Sequence, residues 1–275
     1  GILTNAGAKI TSNETAILAA RSVGNGFKVF GGLRLNQYKG SVQKPYYGGA
    51  ANPTFSVAGG YTFDLDSGST TGFAIGAAYE VPQIMLRASI QYNSEIKHES
   101  AKLNETLAGT STASSPADII GPGSMIIKLR SALSPRMLAF ANWRSSTYKK
   151  LKLEGPVHTA LGGGVIYDPQ SGTDYTVGVA LKVNDKLNVL VGTTKGQATD
   201  TGGLENALSP FKGSSSNFIG ATLKINDSVE LNGGYSLISF GDANAGVPLS
   251  TGAGGAASFT DNKGSRVSIG TTISF

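Results

Sequence analysis

The chain has 275 residues, 40% of them hydrophobic and only 15% charged, with 38 glycines, no cysteine and a formal net charge of +5. These values exclude a disulfide framework, thiolate chemistry and cysteine metal sites. A charge this small, without a Lys/Arg-rich run, gives nucleic-acid binding no support. No run of about 18 apolar residues occurs, which excludes a transmembrane helix. Strands that cross a membrane are short alternating segments and escape any such test.

Read in order, residues 1–11 are weakly patterned, and Thr15 to Arg21 is apolar, a short strand or a helical turn. Gly24-Asn25-Gly26 is a turn signal. After it Phe27, Val29, Leu33 and Leu35 alternate with Lys28, Phe30, Arg34 and Asn36, the period-two pattern of a strand with two different faces. Residues 39–53 read as loop, and 42–69 as an extended excursion from the sheet. Phe73, Ile75, Ala77, Tyr79 and Val81 alternate next, then turn at Pro82-Gln83 into Ile84, Leu86, Ala88, Ile90 and Tyr92. Lys97 to Gly121 is polar and reads as a long loop.

Met125 to Arg130 is a strand, Ser134-Pro135-Arg136 a turn, and Met137 to Leu153 a long strand carrying the single tryptophan, Trp143. Pro156 to Gly172 is ambiguous. Tyr175, Val177, Val179, Leu181 and Val183 alternate cleanly up to Asn184-Asp185, and Leu187, Val189 and Val191 follow. Ile219 to Ile225 and Val229 to Leu237 flank a second Asn-Asp turn at 226–227. A Gly/Ala/Pro loop over 240–262 precedes the last strand, where Val267, Ile269, Ile273 and Phe275 share one face.

Roughly 11 to 13 strands of membrane-spanning length are countable. Alternation alone also suits a two-sheet sandwich. Three features favour a transmembrane antiparallel β-barrel of the bacterial outer-membrane type. The polar face is rich in Gly, Ala, Ser and Thr. Aromatic residues (Tyr61, Phe63, Tyr79, Tyr92, Phe275) stand at strand ends. Short turns at 82–83, 134–136, 184–186 and 226–227 alternate with long connections, as in barrels with short periplasmic turns. We expect one all-β barrel domain over 1–275, closed by the 263–275 strand, in the cell outer membrane.

Several segments together resemble the FadL-type family of outer-membrane transporters for long-chain fatty acids and other hydrophobic compounds. They are Gly72–Pro82 leading to Leu86–Asn93, Pro122–Met125, Ala139–Trp143, Gly220–Leu237 with its Asn226-Asp227 turn, Phe240–Ala243, and Phe259-Thr-Asp-Asn262 through Phe275. The resemblance covers about residues 14–275 and implies a fourteen-stranded barrel, so we expect about 12–14 strands. It also implies passive uptake: cargo is captured outside, binds an apolar pocket and leaves sideways into the membrane. The family's N-terminal hatch is not found, which puts gating and part of the pocket in question. The terminal Phe275 resembles the signal read by the barrel assembly machinery, an expected partner together with outer-membrane lipid or lipopolysaccharide.

Candidate chemistry is sparse. His98 and His158 lack partners at metal or triad spacing and read as solvated loop residues. Asp64-Leu-Asp66-Ser-Gly68 lacks the closing Glu of a calcium loop. No nucleophile–base pair is visible, so we expect neither an enzyme nor a metal or cofactor. If the apolar face meets lipid, Lys28, Arg34, Arg87, Lys128, Arg130, Lys182, Lys224 and Arg266 point inward with Glu80 and Glu230. Such a ladder packs and screens a narrow lumen. Alternatively a subset, Arg34 and Arg87, receives an anionic head group, because the guanidinium fork matches a carboxylate. Phe30, Leu190, Phe218 and Ile238 then line a path for a hydrophobic tail, with Phe140 and Trp143 where the alternation of 137–143 breaks. An anion-leaning porin and a surface-docking barrel are the alternative functions.

Overall fold

The structure is a computed structural model. It describes residues 7–46, 56–107, 110–148, 151, 153–160, 166, 169, 171–198, 205–206, 212–248 and 254–273. Phe275 lies outside the described residues, as does the side chain of His158.

The strands are β1 (Gly7–Gly24), β2 (Phe27–Tyr46), β3 (Ser56–Val81), β4 (Leu86–Asn93), β5 (Ile96–Leu107), β6 (Thr110–Gly121), β7 (Gly123–Ser134) and β8 (Met137–Thr147). After a short helix α1 (Pro156–Ala160) come β9 (Gly172–Lys182), β10 (Leu187–Ala198), β11 (Glu205–Asn206), β12 (Ser214–Lys224), β13 (Val229–Phe240), β14 (Ala243–Pro248), β15 (Gly254–Phe259) and β16 (Lys263–Ile273). Thirteen of them form one sheet, in the order β1-β2-β3-β4-β7-β8-β9-β10-β12-β13-β16, with β5 and β6 attached beside β3. Each pairing in this sheet is antiparallel. β11, β14 and β15 make a separate three-stranded sheet. The closure expected of the last strand is not formed: among the described residues β16 pairs only with β13, and β1 only with β2.

The turns are built as their residues require. Gly24, Asn25 and Gly26 all have positive φ (98°, 49° and 81°), which two glycines and an asparagine adopt readily. At the Asn-Asp turns the Asn184 amide oxygen accepts from the Lys186 and Leu187 N–H groups (both 2.9 Å), and that of Asn226 from the Ser228 N–H at 2.9 Å. The segment read as a loop over 97–121 is instead the β5–β6 hairpin, and the strand expected over 137–153 stops at Thr147.

The sheet has an inverted surface. Its outward face is the apolar one: Ile269 is 81% exposed and Leu33 63%, with Phe73, Ile75, Tyr92, Val177, Ile219 and Tyr235 also exposed. A contiguous apolar face of this extent belongs against lipid or another protein, not water. The exposed apolar stripe of β2 runs from Phe27 to Leu35 and gives way to Gln37, Lys39 and Ser41. At about 3.4 Å per residue that stripe spans roughly 27 Å along the strand, or about 21 Å of height at a 40° tilt, near the apolar band of membrane barrels.

Above the stripe the wall bends. The β2–β3 register shifts at Gln37/Lys39, with Gly68 at φ +64°, and the chain leaves extended pairing at Ser94–Glu95 and at Pro122. Bulges of this kind kink a sheet. Beyond the bend β5 pairs with β3 over Tyr61–Asp66, and β6 pairs only with β5. Here lies the one hydrophobic core cluster found among the described residues, built from Val42, Tyr61, Phe63, Leu65, Leu103 and Ile119 with Leu151, Leu153 and Ile166 from the β8–β9 connection.

Candidate functional site: the lumen cavity

Side chains opposite the apolar stripe line a cavity of about 620 Å³. That is within the range of small-molecule sites. β2 contributes Lys28 and Phe30, β4 Arg87 and Gln91, β7 Lys128 and Arg130, β8 Leu138 and Phe140, and β10 Leu190. Phe30, Arg87, Phe140 and Leu190 are thus brought together on one wall. Phe218 joins them by stacking on Phe140, ring centroids 6.5 Å apart. Ile238 is half-buried on the same face but does not line the cavity.

The phenyl rings lie flat because the neighbouring strand makes room. Phe30 pairs across the ladder with Gly76, Phe140 with Gly178 and Phe218 with Gly192. A Cβ on any of these glycines would collide with the facing ring. An aromatic laid over a cross-strand glycine covers exposed backbone and holds the ring against the wall.

Charge on the wall is unbalanced. Glu80 is shared by Lys28 (Nζ–Oε2 2.7 Å) and Arg87 (Nη1–Oε1 3.2 Å). Lys128 and Arg130, on the next strand but one, form no ion pair among the described residues. The cavity therefore offers phenyl and leucine surface beside cations in excess of carboxylates. Hydrocarbon and an anionic group can be received at the same place.

Two expected site residues stand elsewhere. Arg34 is buried and fully engaged: Nε and Nη2 donate to Glu14 (Oε1 3.0 Å, Oε2 2.6 Å), and Nη1 donates to the Ser94 carbonyl at 3.0 Å. Its fork is used by the protein, so it ties β1 and the bend to β2 rather than facing a ligand. Trp143 is turned to the outward face, paired with the exposed Ile127 and Tyr175. His98 is not a solvated loop residue but a fully buried one. Its Nε2 lies 3.2 Å from the Asn36 amide oxygen and its ring meets Tyr38 edge-on. Burial lowers its pKa, with the Ser67 and Gly68 backbone opposing.

No protein-family model matches the sequence, and no curated protein matches it either. Solved structures do match in shape. A Pseudomonas aeruginosa FadL homologue superposes with a TM-score of 0.72 at 17% identity, covering 97% of this chain and 68% of that one. The fold is that of the FadL-type barrels. The Ralstonia pickettii toluene transporter TbuX matches at 0.56 and 11% identity, over 97% of this chain and 68% of its own. The Pseudomonas putida toluene transporter TodX matches at 0.55 and 16%, over 84% and 64%. An exposed apolar band such as that of Leu33, Ile75 and Ile219 is the kind of surface a membrane barrel turns to lipid, with its polar face toward the lumen.

Three parts of the site were invisible to sequence reasoning. The Phe–Gly pairs need the strand register, because nothing local links Phe218 to Gly192. Glu14 lies between the weakly patterned residues 1–11 and the apolar Thr15 to Arg21, and nothing local links it to Arg34. Lys128 and Arg130 were legible as inward cations, but that neither forms an ion pair among the described residues was not.

Proposed function

We propose that the chain works as a passive outer-membrane channel for hydrophobic compounds, with long-chain fatty acids as the cargo class. The observation that carries this reading is the composition of the cavity wall, where Phe30, Leu138, Phe140 and Leu190 stand beside Arg87, Lys128 and Arg130. The likeness to barrels described as toluene transporters supports apolar cargo. The surplus of cations supports an anionic head group on that cargo over a neutral hydrocarbon. A carboxylate would be held by the Arg130 fork and the Lys128 ammonium, each a charge-assisted donor. The tail would lie along the flattened phenyl rings. No covalent step is involved, and passage is diffusion through bound positions.

The test is displacement of a fluorescent fatty acid from the protein in detergent, with toluene and dodecanol as neutral competitors. Lys128→Gln with Arg130→Gln is expected to weaken fatty-acid binding roughly tenfold or more while leaving dodecanol binding within about twofold, since hydrogen bonds to charged groups contribute about 1.5–3 kcal/mol. Equal losses for both ligands would remove the head-group assignment, and no binding of any apolar probe would remove the transport reading. The uncompensated cations also suit an anion-leaning porin, which would show steady anion conductance and no bound lipid.

A further inference from the structure

The outward face does not end with its apolar stripe. β1 and β2 stay in register from Ile17↔Leu33 through Thr15↔Leu35 and Asn13↔Gln37 to Thr11↔Lys39 and Lys9↔Ser41, so these side chains share one face. β3 and β5 extend the last two pairs sideways. One row across the four strands reads Thr11, Lys39, Asp66, Lys102. The next reads Lys9, Ser41, Asp64, Asn104. The two rows line an open pocket of about 460 Å³.

The pocket stands just past the apolar stripe. From Leu35, where the stripe ends, to Lys39 is roughly 14 Å along β2 at about 3.4 Å per residue, or about 10 Å of height at a 40° tilt. The headgroup layer of a bilayer occupies about 5–8 Å on each side of the hydrocarbon, and lysine stems reach back along apolar surface to it. The end concerned is the one opposite the short turns at 24–26 and 82–85, which in a barrel with periplasmic turns is the outer end.

Three ammonium groups and two carboxylates face the pocket, and one carboxylate is already engaged. Lys39 Nζ lies 3.5 Å from Asp66 Oδ2, while Gln37 Nε2 and the Gly68 N–H each donate to Asp66 Oδ1 at 3.0 Å. Lys9, Lys102 and Asp64 form no ion pair among the described residues. Lys9 and Lys102 stand on the two flanking strands, three strand spacings or about 14 Å of sheet apart. Asp64 lies between them, with Ser41 and Asn104 beside it. A bare anion gains from the lysines but is repelled by Asp64. A phosphate carried on a polyol is matched by both, because a carboxylate accepts from hydroxyl groups while ammonium groups donate to phosphate oxygens.

We propose that this pocket docks a phosphorylated glycolipid of the outer leaflet. Lys9 and Lys102 hold its phosphate, Asp64 accepts its sugar hydroxyls, and its acyl chains run down the stripe over Leu35, Ile17 and Leu33. The inference rests on the outer-membrane barrel and not on the cargo, since the pocket is on the opposite face of the wall from the lumen cavity.

The test is native mass spectrometry of the full chain in neutral detergent, titrated with lipid A and, in parallel, with phosphatidylglycerol and inorganic phosphate. Lipid A is expected to bind roughly tenfold or more tighter than phosphatidylglycerol and to resist displacement by an equal concentration of inorganic phosphate. Lys9→Gln with Lys102→Gln should weaken lipid A roughly tenfold or more, as each lysine near an anionic membrane surface contributes about fivefold. Both side chains are exposed, so heat-modifiable mobility should not change. Asp64→Ala should weaken lipid A and leave phosphatidylglycerol no weaker. Lys182→Gln with Lys224→Gln removes the same charge near the short turns and should leave lipid A binding within about twofold. Equal effects of the two double variants, displacement by inorganic phosphate, or phosphatidylglycerol bound as tightly as lipid A would overturn the site. Failure of every apolar probe to bind the lumen, with lipid A binding intact, would sink the transport reading and keep this site.

Discussion

The assignment of faces can be tested by one charge placed on the outward side. Ile75 is 54% exposed and stands between Gly31 of β2 and Tyr92 of β4, near the middle of the apolar stripe. In lipid, Ile75→Arg would put a guanidinium near the bilayer midplane, at a cost of about 2–4 kcal/mol, or roughly 30- to 900-fold in the folding equilibrium. Gln91 is the control. It lies on the next strand, pairs with Gly76 and lines the cavity beside Asn93 and the cationic side chains, so Gln91→Arg stays on the polar face and away from lipid. That change gives up one hydrogen bond to Asn93 and should cost about 1 kcal/mol or less. The assay is urea titration of the protein folded into phospholipid vesicles, read by heat-modifiable mobility and tryptophan fluorescence. If Ile75→Arg were tolerated as well as Gln91→Arg, the apolar face would not be the lipid face, and the lumen assignment would fall with it.

Other outcomes follow from single contacts. Gly192→Ala drives a methyl into the Phe218 ring, so it should cost about 1–3 kcal/mol or swing the ring into the lumen and slow uptake. The double variant Gly192→Ala with Phe218→Leu should recover most of the urea midpoint. His98 has its folded pKa below the ordinary 6.5, so the unfolded chain takes up the proton first. The stability it contributes is complete above about pH 6.5 and is lost as pH falls from there toward the folded value. Hydrogen exchange of β5 and the outer half of β3 should therefore quicken below pH 6.5, and His98→Gln should flatten that dependence. Arg34→Ala strips Glu14 and the Ser94 carbonyl of their donors, so protease nicking near Ser94–Glu95 should rise while β9 and β10 stay protected.

What was legible in the sequence is the part governed by period two. Tyr175, Val177, Val179 and Leu181 alternate without interruption, and all four are exposed on the outward face. The Asn226-Asp227 turn was equally plain, since its capping is local: the Asn226 side chain and its own backbone neighbours suffice. Legibility ended where an extra residue broke the alternation. In 97–121, His98, Ala101, Leu103 and Glu105 are buried, but a register shift between His98 and Ala101 hides the pattern among polar neighbours. Trp143 failed for the opposite reason. Met137–Trp143 is apolar on both faces, so periodicity cannot choose a side, and only pairing with Ile127 and Tyr175 does. The alternation puts Arg34 on the face opposite the exposed Leu33, where it is buried, yet its occupancy by Glu14 depends on a partner twenty residues away.

The central claim is that the lumen holds an anionic amphiphile rather than water and ions. Mass spectrometry of lipid extracted from the detergent-purified protein, with a planar-bilayer current trace on the same sample, tests it most directly. The account predicts co-purified fatty acid that disappears in the Lys128→Gln, Arg130→Gln variant, and little steady conductance in the parent. An open, anion-selective current from a protein carrying no lipid would contradict it.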